Sequence, residues 1–404
     1  MQTRDVAIVG GGPAGLYAGA LLASAGCDVA IFEEHPESGL PVHCTGVLSA
    51  DAFDEFRLGR QALLNPLRRV RFHSPSGDTF EHETERVEAV VIDRHVFDQQ
   101  LVHTASVAGA HIQSGERIVS ITPAADGVRL RCRSGGLVTA RAVILACGAN
   151  YGLARPLGLG LPSQWLQSAQ LELPARETGL VEVFFGSRVA PRGFAWAVPV
   201  QREGGRHVRV GLMCDRDAER HFAWFVSGIA SRWGVSADAA ILRPRVKMLP
   251  LAPLRRTYAD RVLVVGDAAG LVKATTGGGI YYSLVSAGIA ADVLRDALAR
   301  NAVTAPDLAI YERRWRARLG GELGAQLSLR QLANRLNDTE IDGLFDLART
   351  DGILPLVRRT ARFNQHRDLI TALLRHPPAR DILFRRLSGS WRGALRPGLV
   401  AGRG

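Results

Sequence analysis

The amino-acid sequence predicts an α/β protein with three parts: a Rossmann-like dinucleotide-binding unit, an antiparallel β-sheet unit and a C-terminal helical region. Three observations predict it. DVAIVGGGPAGLYAGALLASAG (5–26) reads as an apolar strand, a glycine turn and a small-residue helix, and DVAIFEE follows as a second strand. DRVLVVGDAAGLVKATTGGGIYYSLVSAGIAADVL (260–294) has the same strand, turn, glycine loop and helix order. Between these blocks, QSAQLELP, GLVEVFFG, FAWAVPV and HVRVGLMC alternate or run apolar, as strands of a half-buried sheet do.

The first block carries GxGxxG at Gly10, Gly12 and Gly15, with Pro13 and Ala14 inside the turn. The first glycine permits the tight turn, the second lets backbone approach a pyrophosphate, and the third lets the helix pack on the strand. The helix N-terminus then offers free N–H groups to the phosphates. Glu33 ends the second strand 18 residues after Gly15, where a carboxylate accepts ribose hydroxyls. Glu34 is its neighbour, and a shift of register exchanges the two.

The expected division is discontinuous. Residues 1–60, 90–160 and 245–300 form the cofactor-binding domain, 61–89 and 161–244 the β-sheet substrate domain, and 301–404 the helical region. SPSGDTFEHE (74–83) reads as strand, and the C-terminal helices break at Pro306, Pro355, Pro377-Pro378 and Pro397.

Composition narrows the function. Apolar residues make up 47% of the 404, enough for a sizeable core. The five cysteines (Cys27, Cys44, Cys132, Cys147, Cys214) are scattered, odd in number and form no CxxC. That speaks against a disulfide framework, a zinc site or an iron–sulfur cluster, and a reducing cytoplasm fits. No long apolar run is free of glycine turns and charge, so no transmembrane helix is expected. The formal net charge is +11, and residues 351–404 hold eleven Arg against three Asp. This basic tail lacks interleaved aromatics and a nucleic-acid-binding fold, so nucleic acid is not indicated. RRTARFNQHRDLITALLRH (358–376) reads instead as a basic amphipathic helix, either packed on the domain with its Arg face solvated or in peripheral contact with an anionic membrane face.

The 260–294 block resembles the second FAD fingerprint of the para-hydroxybenzoate hydroxylase-like flavoproteins. The resemblance implies FAD as cofactor. It places Gly266-Asp267 at the ribityl and pyrophosphate region, and Gly277-Gly278-Gly279-Ile280 at the pyrimidine edge of the flavin. A helix N-terminus there stabilises the negative charge of reduced flavin. Arg94, opening the helix of VIDRHVFDQQL, is implied as a further cofactor contact.

Pro41-x-x-Cys44-x-Gly46-x-x-Ser49 looks like the PxxCxGxxS motif of geranylgeranyl reductases, flavoenzymes that saturate isoprenoid double bonds. Phe194-x-Trp196-x-Val198-Pro199 is similar to their YxWxFP motif. The resemblance implies catalytic roles for Cys44, Trp196 and Phe194, with Cys44 and Gly46 also beside the flavin. Three departures stand out. Phe194 replaces Tyr, Cys147-Gly148 replaces the usual Asp-Gly, and Lys273-Ala274 stands where Pro usually precedes TGGGI. The Asp-Gly change bears on coupling to NAD(P)H, which leaves NADPH and ferredoxin open as electron donors. Lys273 is either a counter-charge for reduced flavin or a solvated loop lysine.

Reducing an isolated alkene needs hydride at one carbon and a proton at the other, with an aromatic wall to bear positive charge. Phe194 and Trp196, at i and i+2 of one strand, share a face. Cys44 has three readings: proton donor, orienter of a donating water, or a small polarizable wall. A free thiol, with a reference pKa near 8.5, is a weak acid for an alkene, which favours the last two. The expected partner is an isoprenoid or other apolar small molecule. The rivals are a flavin monooxygenase, a flavin halogenase and a flavin-bearing prenyl-lipid-binding protein without turnover. Halogenases need an early lysine, and no lysine precedes Lys247 here.

Overall fold

The computed structural model describes residues 3–176, 179–235, 243–350 and 352–384. Its first sheet is built on the glycine-loop strand. The order is β17 (Tyr258–Ala259), β18 (Val262–Val264), β11 (Leu137–Leu145), β1 (Arg4–Val9), β2 (Val29–Glu33) and β8 (His111–Ser114). β1 runs parallel to both β2 and β11, and β11 runs parallel to β18. β10 (Gly127–Cys132) and β9 (Ile118–Ala124) extend from β11 as antiparallel strands. Val6, Ala7, Ile8, Val143, Ile144 and Val264 are fully buried, as strands covered on both faces require. α1 (Pro13–Ser24) packs between α3 (Arg94–Val107) and α5 (Ile280–Ala299), and α5 packs in turn on α6 (Ala305–Ala333).

The second sheet has the order β16 (Arg245–Pro250), β12 (Trp165–Pro174), β15 (Gly205–Cys214), β14 (Phe194–Arg202), β13 (Val181–Phe184), β5 (Arg69–His73) and β6 (Thr79–Glu83). It is antiparallel except where β13 meets β5. α4 (Ala218–Ile229) closes one face, burying Phe222, Phe225, Val226 and Ile229 against Ala169, Leu173, Val208 and Leu212. On the other face Val198 and Val200 pack with Val91, while Gln170, Phe194, Trp196 and Met213 line a cavity. A small third sheet joins the two: β3 (Val47–Ser49), β7 (Ala89–Ile92) and β4 (Leu63–Leu67), with the short α2 (Ala52–Glu55) after β3.

The α/β class and the two-sheet architecture match the sequence reading, with three local differences. β16 pairs with β12 throughout, so the return to the first sheet comes after Pro250 and not at 245. Residues 74–78 form a turn, Ser74 N–H donating to the Asp78 carbonyl, and only 79–83 are strand. The helix expected over 358–376 is two helices, α8 (Ile353–Thr360) and α9 (Arg367–Arg375), which follow α7 (Asp338–Thr350). The chain between them turns inward because the buried Lys273 ammonium takes the Phe363 carbonyl and the Asn364 side chain as acceptors. Glu322 then accepts from the His366 and Arg367 N–H groups, which starts α9 afresh.

The prolines open helices. Pro306 sits in the first turn of α6, after a capping box in which Asp307 accepts from Thr304 N–H at 3.1 Å, and Pro355 sits in the first turn of α8. Pro377 and Pro378 begin a helical stretch over 377–384, and Pro397 lies outside the described residues. Among the described residues, no helix is long and apolar enough to cross a membrane.

Candidate active site

The glycine loop assigns a separate reason to each glycine. Gly10 has φ +113, and a Cβ on it would strike the Ala146 carbonyl. A Cβ on Gly15 would strike the Gly10 carbonyl, which holds α1 tight on β1. A Cβ on Gly12 meets nothing within 4 Å, because that position faces the open cavity, the side on which phosphates must lie. Pro13 starts α1 and Ala14 is buried behind it. Glu33 accepts from Gly11 N–H at 2.7 Å and from His35 N–H at 2.9 Å, while Glu34 turns to Arg117 at 3.4 Å. Of the adjacent pair, Glu33 is the one bonded to the glycine loop. These features fit the adenosine and pyrophosphate half of FAD.

The second fingerprint closes the other end. Gly266 (φ +60) packs on Ser283, and its N–H donates to Ser286 Oγ at 3.0 Å. Asp267 points toward the cavity with Lys247 Nζ at 3.4 Å, and a Cβ on Gly279 would sit against its Oδ1. Gly277 (φ +73) and Gly278 fold back on Lys273 through two backbone bonds of 2.8 and 3.0 Å, which delivers Gly279 and Ile280 to the N-terminus of α5. Lys273 lines the cavity, but its ammonium is 2.7 Å from the Phe363 carbonyl, 2.8 Å from Asn364 Oδ1 and 4.3 Å from the Phe363 ring centre. Burial pushes its pKa down to about 7. It is therefore neither a solvated loop lysine nor a cation free to turn to the flavin.

Cys44 lies in a loop pinned from the second sheet. Arg209, buried on β15, donates to the Thr45 carbonyl at 2.7 Å and the Ile92 carbonyl at 2.8 Å, and is held by Glu172 at 2.7 Å. Thr45 Oγ1 donates to Gln170 at 3.0 Å. Gly46 takes φ +69, and a Cβ there would collide with the Arg209 guanidinium. The loop's glycine is thus required by the arginine behind it. Cys44 Sγ accepts from Gly46 N–H at 3.3 Å, and the Arg94 guanidinium lies close enough to interact with the thiol. Arg94 is clamped on Asp98, with contacts of 2.9 and 3.0 Å. Burial opposes its charge, but Asp98 and Cys44 more than offset this and raise its pKa above the ordinary value. The structure brings Arg94 to the thiol as well as to the cofactor cavity.

Between the sheets lies one cavity of about 1270 Å³. A single-ligand pocket is roughly 300–1,000 Å³, so this one has room for more than a cofactor. Gly12, Glu33, Cys44, Arg94, Phe194, Trp196, Asp267 and Gly277 all face it. Phe194 and Trp196 pack together at 5.7 Å between ring centres. Trp196 lies flat over Gly211, its partner on β15, where a Cβ would enter the indole. The Trp196 Nε1 is buried with no partner among the described residues. Phe363, Leu369, Ile370 and Leu373 of the C-terminal segment line the same cavity. Cys147 faces it too, its thiol donating to the Asn150 carbonyl at 3.2 Å and pushed up to about 11 by burial. A neutral thiol therefore stands where related flavoproteins carry a carboxylate.

Sequence reasoning missed Arg209, Gly211, Asn364 and Lys247. Gly211 had a signal, a glycine inside an apolar strand, which marks a close approach. The others depend on contacts far apart in sequence.

The FAD binding domain family model matches residues 3–305. The chain is 30% identical to digeranylgeranylglycerophospholipid reductase 2 of Methanothermobacter thermautotrophicus over 352 residues, covering 84% of this chain and 90% of that one. It is 32% identical to digeranylgeranylglycerophospholipid reductase 1 of Methanopyrus kandleri, covering 87% and 98%. A geranylgeranyl bacteriochlorophyll reductase-like structure from Thermoplasma acidophilum superposes with a TM-score of 0.82 at 22% identity, covering 96% and 99%. A flavin-dependent brominase shares the fold with a TM-score of 0.70 at 15% identity, covering 97% and 100%. With its FAD cradle, Cys44 loop and aromatic wall around one cavity, this chain belongs to the geranylgeranyl reductase family of FAD-dependent oxidoreductases.

Proposed function

We propose that this reductase saturates carbon–carbon double bonds of isoprenoid chains, whether of polyprenyl lipids or of quinone side chains. The observation that carries the reading is the apolar space shared by the Phe194–Trp196 wall, the Cys44 loop and the flavin-side glycines. Bound FAD, once reduced, supplies the hydride. The protein's own part is to hold the alkene dry between the aromatic wall and the TGGGI loop. Trp196 and Phe194 present π faces to the carbon that bears positive charge. The Cys44 loop, fixed by Arg209, sets the side from which a proton arrives.

Electrons reach the cofactor from NADPH or from a ferredoxin-type carrier. Exposed Arg358, Arg359 and Arg362 beside the cavity wall give the protein a basic face for an anionic membrane, where long prenyl chains reside. The test is anaerobic. Photoreduced protein mixed with geranylgeraniol should reoxidise its flavin and yield a product heavier by one pair of hydrogens per bond reduced. Flavin that stays reduced with geranylgeraniol, geranylgeranyl diphosphate and a prenylated quinone alike overturns the reading.

A further inference from the structure

Arg330 lies on the inner face of α6, 7% exposed, and lines the cavity. Its Nη1 donates to the Ala274 carbonyl at 3.0 Å and its Nη2 to the Arg192 carbonyl at 2.7 Å. The first carbonyl belongs to the flavin-side loop, and the second precedes β14, the strand of Phe194 and Trp196. Leu327, one helical turn away, packs on the same buried cluster, which includes Met213 and Ala274, as those two aromatics. Arg330 thus sits at the Phe194 end of the aromatic wall.

Bridging two carbonyls needs hydrogen-bond donors and not a charge, so the guanidinium is unexplained as a strut. Among the described residues no carboxylate forms an ion pair with it. Among the described residues the acid that favours its charge is Asp215, whose Oδ2 is paired with Arg192 at 3.6 Å and whose buried Oδ1 has no hydrogen-bond partner. Burial holds the Arg330 pKa down to about 10. A buried cation with no carboxylate in direct contact is costly, and a ligand that brings the missing charge recovers much of that cost. Three of its five N–H groups remain beyond the two carbonyl bonds. Exposed Arg192, Arg216 and Arg335 line the same part of the cavity, against Asp215 and Asp338, and Asp338 is occupied by Ser187.

We propose that Arg330 anchors the phosphate-type head group of the isoprenoid substrate, with the apolar chain running from it along Phe194 and Trp196 into the reaction space. This rests on the isoprenoid reading and adds the residue that holds the head group. Arg192, Arg216 and Arg335 at the rim draw the anion in, and Arg330 fixes it. Where the anion sits sets the distance from head group to the bond over the aromatic wall, and so determines which bond is reduced first.

The experiment titrates FAD-loaded protein with geranylgeranyl diphosphate, geranylgeraniol and inorganic diphosphate, and reads the visible flavin spectrum, which reports binding without turnover. The parent should bind the diphosphate ester more tightly than the alcohol. Arg330→Met should weaken the ester by roughly 10- to 100-fold, the usual worth of a charge-assisted bond, and leave the alcohol unchanged. Arg330→Lys should recover part of the loss. If Arg330→Met does not retain FAD, Arg330→Lys alone decides: it should weaken the ester several-fold and spare the alcohol. Equal binding of ester and alcohol by the parent, or equal loss of both in a variant, overturns the proposal while leaving the isoprenoid reading intact. Inorganic diphosphate binding as tightly as the ester overturns it in favour of a free-phosphate site. No binding of either prenyl compound overturns both readings.

Discussion

The Lys273 ammonium donates to Asn364 Oδ1 at 2.8 Å, and the same Asn364 donates from Nδ2 to Ser49 Oγ at 2.6 Å. One side chain thereby ties together the end of the PxxCxGxxS loop, the start of the flavin-side loop and the C-terminal segment. Tyr282 adds a bond to the Asn364 carbonyl at 3.2 Å. The segment that carries Phe363, Leu369 and Leu373 into the cavity is held by the same loops that hold the cofactor.

Asn364→Ala removes one acceptor from a buried ammonium and the donor to Ser49. The expected cost is about 2–3 kcal/mol, that of leaving a charged buried group short of a partner. Urea unfolding of the FAD-loaded protein measures it. A midpoint equal to the parent's would show that water replaces the amide and that the latch is unimportant to stability.

The latch also makes stability depend on pH, with a fixed sign. Lys273 has a folded pKa near 7 against an unfolded 10.5, so between those values the unfolded chain binds the extra proton. Stability therefore rises with pH across that window, by up to about 1.4 kcal/mol per pH unit for one proton. Below about pH 7 both states are charged and the full penalty is present. His366 acts in the acid range. Its Nε2 donates to the Phe363 carbonyl at 3.1 Å, so its Nδ1 accepts from Thr275 at 2.7 Å and the ring is neutral. Burial, with the Lys273 charge nearby, lowers its pKa to about 4 from 6.5, so stability is lost as pH falls from 6.5 toward 4. Lys273→Met should flatten the first slope and His366→Gln the second, as read from unfolding midpoints across pH.

Gly12→Asp should abolish FAD binding, because it sets a carboxylate where the backbone faces the open phosphate side. Asp267→Ala should weaken binding less, since the glycine loops remain. Gly15→Ala should fail differently, by unfolding, because its Cβ would strike the Gly10 carbonyl. Absorbance near 450 nm per protein, with circular dichroism for fold, separates loss of cofactor from loss of structure. Full yellow colour in Gly12→Asp would contradict the placement of the pyrophosphate.

The parts legible in the sequence are those encoded locally. Gly10, Gly12 and Gly15 meet distinct steric demands within one turn, and Phe194 and Trp196 share a face because strands alternate. The loop around Cys44 was readable as a loop and as a motif. What pins it was not, because Arg209 lies 164 residues from Thr45 and becomes its neighbour only through the sheet. The C-terminal region misled for the same reason. The spacing of Phe363, Leu369, Ile370 and Leu373 is near-helical, but a buried lysine 91 residues earlier takes the chain between them as its acceptor. Helical periodicity cannot register a distant, unsatisfied ammonium.

The C-terminal wall should set how far a prenyl chain enters. Leu373→Trp adds bulk to the cavity from α9, on a residue that faces it without serving the latch. The expected result is fewer reduced bonds per chain at little change in rate for the first, measured by product mass. An unchanged product pattern would place the chain elsewhere in the cavity.

Cys44 is the sharpest test of mechanism. Its sulfur accepts from Gly46 N–H and lies beside the Arg94 guanidinium in the cavity wall. A direct proton donor would have to release its hydrogen to a carbon and be recharged each turnover. Its removal would cost well beyond ~10²-fold, the low end for general acid catalysis. A positioned wall, or an orienter of water, loses less and changes which bonds are reduced. Single-turnover reaction of reduced Cys44→Ala and Cys44→Ser separates these. The expected outcome is a slowing of less than ~10²-fold in Cys44→Ala, a shifted pattern of reduced bonds, and a smaller shift in Cys44→Ser, whose hydroxyl keeps an acceptor for Gly46 N–H. A far larger loss in Cys44→Ala would assign the proton to the thiol itself. Parent-like rate and products in both variants would make Cys44 a packing residue of the loop that Arg209 holds.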